Sequence, residues 1–418
     1  MPISTLQPFC RRSIASILAA LALCLLALAA LSSLTAPAHA ATRHSASTHR
    51  HHRVTHARRH VRRHRHVRAT AKAAGKTQPS QPTPSTQPVT FGIYPGGAAG
   101  TVGPSGPVAP EDPAKRLAAL EQLKPANRPF VLHLYAAYTG GSGYSAAAQV
   151  GNDISSYTAN GLKVELTLCY RPSDLNAAVD VPGFVSFVRD TVDQLGSNPG
   201  LVSLQVTNEA NVGGSPNASD GYYPGVKDAL IGGVIEASAE RNLDRDTQLK
   251  VGFNWAYATD SSEKAFWTYL GQHGGPAFLK ALDWVGLDAY PGTWGPPLAS
   301  GLSFSAAVRQ GTVQALSTMR QTYMPLAGIP ASVPMHVSEN GYPTGPGRTY
   351  AMQSTALQTM VHAVVDYSGT FNVSDYRWFD LRDADSSSTS FESQYGLMTD
   401  TYTPKPAFAI YQQLVASL

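Results

Sequence analysis

Eight short runs rich in β-branched and aromatic residues alternate with helical patterns along this chain. The runs span 89–94, 129–136, 162–169, 201–207, 249–254, 283–288, 334–338 and 375–380. Helical periodicity fills 111–123, 145–159, 182–195, 224–241, 262–273, 304–322, 350–367 and 405–417. Each apolar run has the length of a strand rather than a helix. Several helix starts are punctuated, by Pro113 after Glu111-Asp112, by Pro182-Gly183 and by Ser261-Ser262-Glu263. Eight strand–helix units of about 40 residues predict an α/β fold, a single (β/α)₈ barrel with parallel strands. A doubly wound open sheet is the alternative, but it seldom needs eight units. No GxGxxG follows the first run, so nothing supports a nucleotide ligand.

Charge divides the chain. Residues 1–90 carry 13 Lys+Arg and no acid, whereas the whole chain has 32 basic and 28 acidic residues. The remainder is therefore acidic by nine charges. Arg11-Arg12, the apolar stretch from Ile14 to Leu34, and Ala38-His39-Ala40 read as an export signal over 1–40, cleaved before Ala41. A retained anchor is the competing reading, because about 20 apolar residues can span a bilayer. Secretion or attachment at the cell surface is expected either way. Residues 41–89 read as a disordered tail. Its His/Arg tract, 43–68, has eight His and nine Arg, a composition that suits an anionic cell-surface polymer. A solvated tether and a metal-binding tract are the alternatives. The stretch 75–89 is Pro/Ser/Thr/Gln-rich, as linkers are. The folded domain is then 90–418. Beyond the leader it holds one cysteine, Cys169, which cannot form an internal disulfide. Stability must come from a large core.

In such barrels chemistry sits at the C-terminal ends of the strands. Polar and aromatic residues gather there in this sequence. Tyr94 ends the first strand and Tyr170-Arg171-Pro172 the third. Asn208-Glu209 follows the fourth, Asn254-Trp255 the fifth and Asp288-Ala289-Tyr290 the sixth. Glu339-Asn340 closes the seventh, and the eighth carries Trp378, Asp380 and Arg382. Any one of these could cap a helix or face water; seven together are harder to dismiss. Glu209 and Glu339 are the pair that glycosidic cleavage requires. One carboxyl protonates the leaving oxygen, and the other attacks or stabilises the anomeric carbon. If Glu209 points inward, strand alternation puts Thr207 and Gln205 on the same face. The same count turns Glu165 into the barrel, as a structural residue.

These residues resemble clan A glycoside hydrolases, with families 5, 39 and 53 the nearest in pattern. The resemblance rests on Asn208-Glu209 after strand 4, Glu339 after strand 7, an aromatic-rich strand 8 and the closing segment 395–414, and it covers about Thr90 to Leu418. It implies Glu209 as acid/base, Glu339 as nucleophile and Asn208 as a contact to the sugar 2-hydroxyl. It also implies that Tyr290 holds the nucleophile and that Trp378 forms a platform under the sugar. Family 5 members carry an Arg after strand 2 and His-x-Tyr after strand 6. Here those places read Tyr135-Ala136-Ala137-Tyr138 and Asp288-Ala289-Tyr290. Arg171 either replaces that arginine's bond to the nucleophile or is structural. Trp255 and Tyr94 complete the expected substrate contacts. The expected partner is a poly- or oligosaccharide, with no cofactor, and the chain is read as a monomer. A non-catalytic carbohydrate- or wall-binding barrel is the alternative. A metal-dependent hydrolase lacks an HExxH motif.

Overall fold

A computed structural model describes residues 82–96, 109–141, 145–173, 180–214, 216, 218–246 and 248–418. The export signal and the His/Arg tract lie outside these residues. The strands are β1 (Thr90–Ile93), β2 (Val131–Tyr138), β3 (Lys163–Tyr170), β4 (Leu201–Val206), β5 (Lys250–Ala256), β6 (Trp284–Asp288), β7 (Met335–Asn340) and β8 (Val373–Trp378). They form a closed parallel barrel in chain order, sealed by β1 against β8 with Ile93 opposite Trp378. The (β/α)₈ barrel read from the alternating pattern is the observed fold.

The helices α1 (Pro113–Leu123), α2 (Ala146–Ala159), α3 (Val181–Leu195), α4 (Val226–Asp244), α5 (Ser261–Ala281), α6 (Phe304–Thr318), α7 (Tyr350–Asp366) and α8 (Pro406–Ser417) surround it. Side chains of Asp112, Ser145, Asp180, Asp260, Ser303 and Thr349 cap six of them. Each cap satisfies backbone N–H groups that the first helical turn leaves unpaired. No helix among the described residues is long and apolar enough to cross a membrane. Cys169 is buried and unpaired.

Strand alternation sorts the core into two parts. Leu132, Val164, Leu204, Val251 and Tyr376 are buried toward the helices. The barrel interior is polar instead. Glu165 does point inward, where its carboxylate meets His133 Nδ1 at 3.3 Å, His336 Nδ1 at 3.0 Å and Arg377 Nη2 at 3.7 Å. Burial alone would raise the Glu165 carboxyl. Arg377 and the two histidines outweigh it and hold the group well below the usual carboxylate range. Asp375 completes the set, 2.9 Å from Arg377 and 3.2 Å from His336 Nε2. Gly92 on β1 makes room for this cluster: a Cβ there would stand 2.7 Å from Arg377 Cδ.

The folded part begins earlier than the expected boundary at Thr90. Gln87 N donates to Ser368 Oγ at 2.7 Å, and its Nε2 donates to the Val373 carbonyl at 2.9 Å. Gly369 N donates to the Ser85 carbonyl, and Thr370 Oγ1 to that of Thr83, each at 2.7 Å. The end of the Pro/Ser/Thr-rich stretch is thus a strap bound to the turn before β8.

Candidate active site

Glu339, near the end of β7, is 6% exposed. Its Oε2 accepts from the Tyr290 hydroxyl at 2.6 Å, and its Oε1 accepts from the Tyr135 hydroxyl. Burial and the Glu339 carboxylate push both tyrosines well above their ordinary range. They therefore stay protonated donors. Of the two, the sequence points to Tyr290 alone. Tyr135 gives no such signal because it lies inside a strand, although its alternation with His133 turns it inward.

Glu209 follows β4 in an unusual backbone. Thr207 and Glu209 both have positive φ, 65° and 49°. Such conformations cost roughly 1–3 kcal/mol for non-glycine residues and persist when neighbours over-determine them. Here the neighbours are specific. Asn254 Oδ1 accepts from Glu209 N at 2.8 Å, Gln205 Nε2 donates to the Thr207 carbonyl at 3.0 Å, and Asp220 Oδ2 accepts from Asn208 N at 2.8 Å. The turn departs from strand geometry, so the two-residue alternation that placed Thr207 and Glu209 on one face does not extend past Val206. Burial, then the Glu339 charge, pushes the Glu209 carboxyl well above its ordinary range.

A third carboxyl joins the pair. Glu209, Asp288 and Glu339 present oxygens that all lie within 4.8 Å of one another. Ser338 Oγ donates to Asp288 Oδ1 at 2.6 Å, and Asn254 Nδ2 donates to Oδ2. Burial and the adjacent Glu339 and Glu209 raise Asp288 strongly. Three carboxyls this close could share a cation. Their oxygens already accept from Tyr135, Tyr290, Ser338 and Asn254, an arrangement suited equally to sharing protons.

The other expected site residues fall into three groups. Tyr94 is at the mouth, stacked on Phe379 at 4.9 Å and edge-on to Tyr135 at 5.4 Å. Asn208 lies beside Glu209. Its Oδ1 accepts from Asn254 Nδ2 at 3.0 Å and its Nδ2 donates to the Ala218 carbonyl at 2.9 Å, leaving one amide hydrogen. Among the described hydrogen bonds Arg171 does not reach Glu339. It pairs with Asp220 at 3.1 Å, and Asp220 also receives the N–H groups of Tyr170 and Asn208. Burial pushes the Asp220 carboxyl up to about 6, against the opposing effect of Arg171.

Trp255 and Trp378 are corrections. Both are 0% exposed and face the helices. Trp255 Nε1 donates to Glu263 on α5 at 2.5 Å, and its ring packs on Tyr323 at 5.1 Å. Trp378 packs against Tyr411 of α8 at 6.5 Å. Strand parity is the reason. Asn254 and Arg377 point inward, so the next residue on each strand points out. The same parity returns Phe379 to the mouth, where it packs with Tyr94, Tyr290 and Tyr395.

Comparison with solved structures finds the same architecture. A family 39 glycoside hydrolase from the gut symbiont Bacteroides cellulosilyticus WH2 matches with a TM-score of 0.51 and 12% identity, over 79% of this chain and 64% of that one. A structure from work on two fungal β-1,4-galactanases matches with a TM-score of 0.51 and 11% identity, over 78% and 99%. GH5_18 from Streptomyces cattleya, in complex with GlcNAc, matches with a TM-score of 0.53 and 14% identity, over 79% and 80%. The chain therefore spans under two thirds of the family 39 protein's length. No family model and no curated protein matches the sequence. At these identities the likeness concerns backbone architecture: the chain has the (β/α)₈ barrel fold of these glycoside hydrolases.

Proposed function

We propose that the chain is a retaining glycoside hydrolase of the clan A type, cleaving β-linked bonds in a poly- or oligosaccharide. The observation that carries this reading is the asymmetry of two neighbouring glutamates. Glu339 accepts from two tyrosine hydroxyls, one on each carboxylate oxygen. Glu209 has no such donors on its carboxyl among the described hydrogen bonds, and burial beside Glu339 favours its protonated form. Retaining enzymes place the two carboxyls about 5–5.5 Å apart, and inverting ones about 6.5–9.5 Å. The nearest oxygens of Glu209 and Glu339 lie within 4.8 Å of each other, a close approach compatible with the shorter spacing.

The chemistry follows from that asymmetry. Glu339 attacks the anomeric carbon, and the glycosidic bond breaks with its electron pair on the leaving oxygen. Glu209 delivers its proton to that oxygen. A glycosyl ester on Glu339 and an ionised Glu209 result. Esterification removes the Glu339 charge, the second largest cause of the high Glu209 proton affinity. Glu209 is then suited to take a proton from water, whose oxygen displaces Glu339 from the sugar. Two inversions give net retention. NMR of a freshly initiated digest of a β-glycan panel should show the β-anomer first. An α-anomer formed first would exclude double displacement.

The leader, 1–40, and the tail, 41–89, are proposed to deliver the barrel outside the cell and hold it to anionic wall or surface polymer. Attraction of the His/Arg tract to such material should weaken with added salt and strengthen below about pH 6, as histidines gain charge. Sedimentation with wall material, comparing the full chain with one lacking 41–75, tests this. Equal, salt-insensitive binding by both would remove the role.

A further inference from the structure

The loops around the mouth set the charge that a bound sugar would meet. They are the segments joining each strand to the following helix: 94–112, 139–145, 171–180, 207–225, 257–260, 289–303, 341–349 and 379–405. Their described residues include eleven acidic residues, four cationic residues and no histidine. The cations are Arg171, Arg348, Arg382 and Lys405.

Three of the four are committed within the chain. Arg171 pairs with Asp220. Arg382 is fully buried and donates to the carbonyls of Ala109 at 2.6 Å and Pro110 at 2.8 Å. Lys405, also buried, pairs with Asp383 at 2.6 Å and donates to Thr344 at 2.9 Å. Arg348 makes no ion pair among the described residues and lies over the Phe391 ring at 4.4 Å. Phe391 packs on Tyr395 at 6.4 Å, and Tyr395 on Tyr290 at 5.5 Å. Phe391 and Tyr395 thus link Arg348 to Tyr290, and Arg348 Nε is buried without a hydrogen-bond partner.

Several carboxyls at the mouth are committed as well, whereas Asp380 Oδ1 is buried with no hydrogen-bond partner. Asp288 accepts from Ser338 and Asn254, Asp180 from Tyr138, and Asp383 and Asp220 face Lys405 and Arg171. The side chains packed together beside the Glu339 carboxylate are aromatic: Tyr94, Tyr290, Phe379 and Tyr395. An anionic sugar would bring a second negative charge to Glu339, whose described hydrogen-bond partners are two tyrosine hydroxyls and no cation. An ammonium sugar would meet Asp380, whose Oδ1 lacks a partner, but burial pushes that carboxyl well above its ordinary range, toward its neutral form. Either charge would be desolvated without compensation.

We propose that the sugar ring seated against Glu339 is a neutral pyranose, carrying no carboxylate, sulfate or ammonium group. This rests on the glycoside hydrolase reading above, and it narrows the substrate to neutral glycans at the position of cleavage. The apolar C–H face of such a ring suits Phe379 and the tyrosines around it.

Matched pairs of β-glycosides with one shared leaving group test it with the full chain: glucoside against glucuronide, galactoside against galacturonide, and N-acetylglucosaminide against glucosaminide. The corresponding oligosaccharides are assayed beside them. In the pair that the enzyme accepts, kcat/KM should favour the neutral member by about 100-fold or more. A charged member reaching over about a tenth of its neutral partner's kcat/KM overturns the proposal and leaves the hydrolase reading standing. Hydrolysis of no member overturns the hydrolase reading itself. Arg348→Ala should leave the discrimination unchanged. A loss confined to uronate-bearing substrates would identify Arg348 as their counter-ion and overturn the proposal.

Discussion

Replacing Glu339 with alanine is expected to lower turnover by about 10⁴-fold or more, whatever the leaving group. In the proposed mechanism Glu339 forms the first covalent bond, so a better leaving group cannot restore what is missing. Tyr135 and Tyr290 would lose their shared acceptor, and a thermal melt should confirm that the variant stays folded. Azide can occupy the vacated space and attack directly, giving a glycosyl azide of inverted configuration. Glu209 should also change. The Glu339 charge helps to raise its proton affinity, so its apparent pKa should fall in the variant. A Glu339→Ala enzyme that forms a glycosyl-enzyme with an activated substrate would show that the nucleophile is another residue.

Glu209→Ala should behave differently. Hydrolysis of glycosides with poor leaving groups should fall by about 10²–10⁴-fold, the usual contribution of a positioned proton donor. Dinitrophenyl glycosides need no proton, so their first step should survive and the glycosyl-enzyme should accumulate. Azide should then release a product of retained configuration. The pH profile supplies a second readout. In the proposed mechanism Glu209 acts in its protonated form, and burial and then the Glu339 charge raise its carboxyl. Wild-type activity is therefore present below the raised pKa and lost as pH rises through it. That alkaline limb should be absent in Glu209→Ala. Exchange of these behaviours between the two variants would reverse the assignment.

The order of elements was legible because the barrel repeats one simple unit eight times. Glu209 and Glu339 were legible because polar residues at the C-terminal ends of buried strands stand out. What sequence reading misplaces has a common cause, the facing of side chains at those ends. Trp255 and Trp378 look like sugar platforms by residue type, but each follows an inward residue and so points out. Phe379, one position further, is hidden for the same reason. Asp220 leaves no signal, since it sits in a Gly/Asn/Ser-rich loop twelve residues beyond Asn208, and only the fold brings its carboxylate under that backbone. Asp288 is visible at a strand end, but its meaning as a third carboxyl depends on closure of the barrel. Thr83 to Gln87 read as linker because composition cannot reveal which hydroxyls and carbonyls find partners.

That strap has a consequence for handling the molecule. Thr83, Ser85 and Gln87 bind the turn that precedes β8, at the strand ends opposite Glu339. At the other terminus of the described chain, Arg128, just before β2, donates to the Val415 carbonyl in α8 at 2.9 Å. Both ends of the described chain therefore leave from the floor of the barrel. Fusion partners, surface linkages or display scaffolds joined at either end would grip that floor, and the rim that carries Glu209 and Glu339 would face outward into the medium.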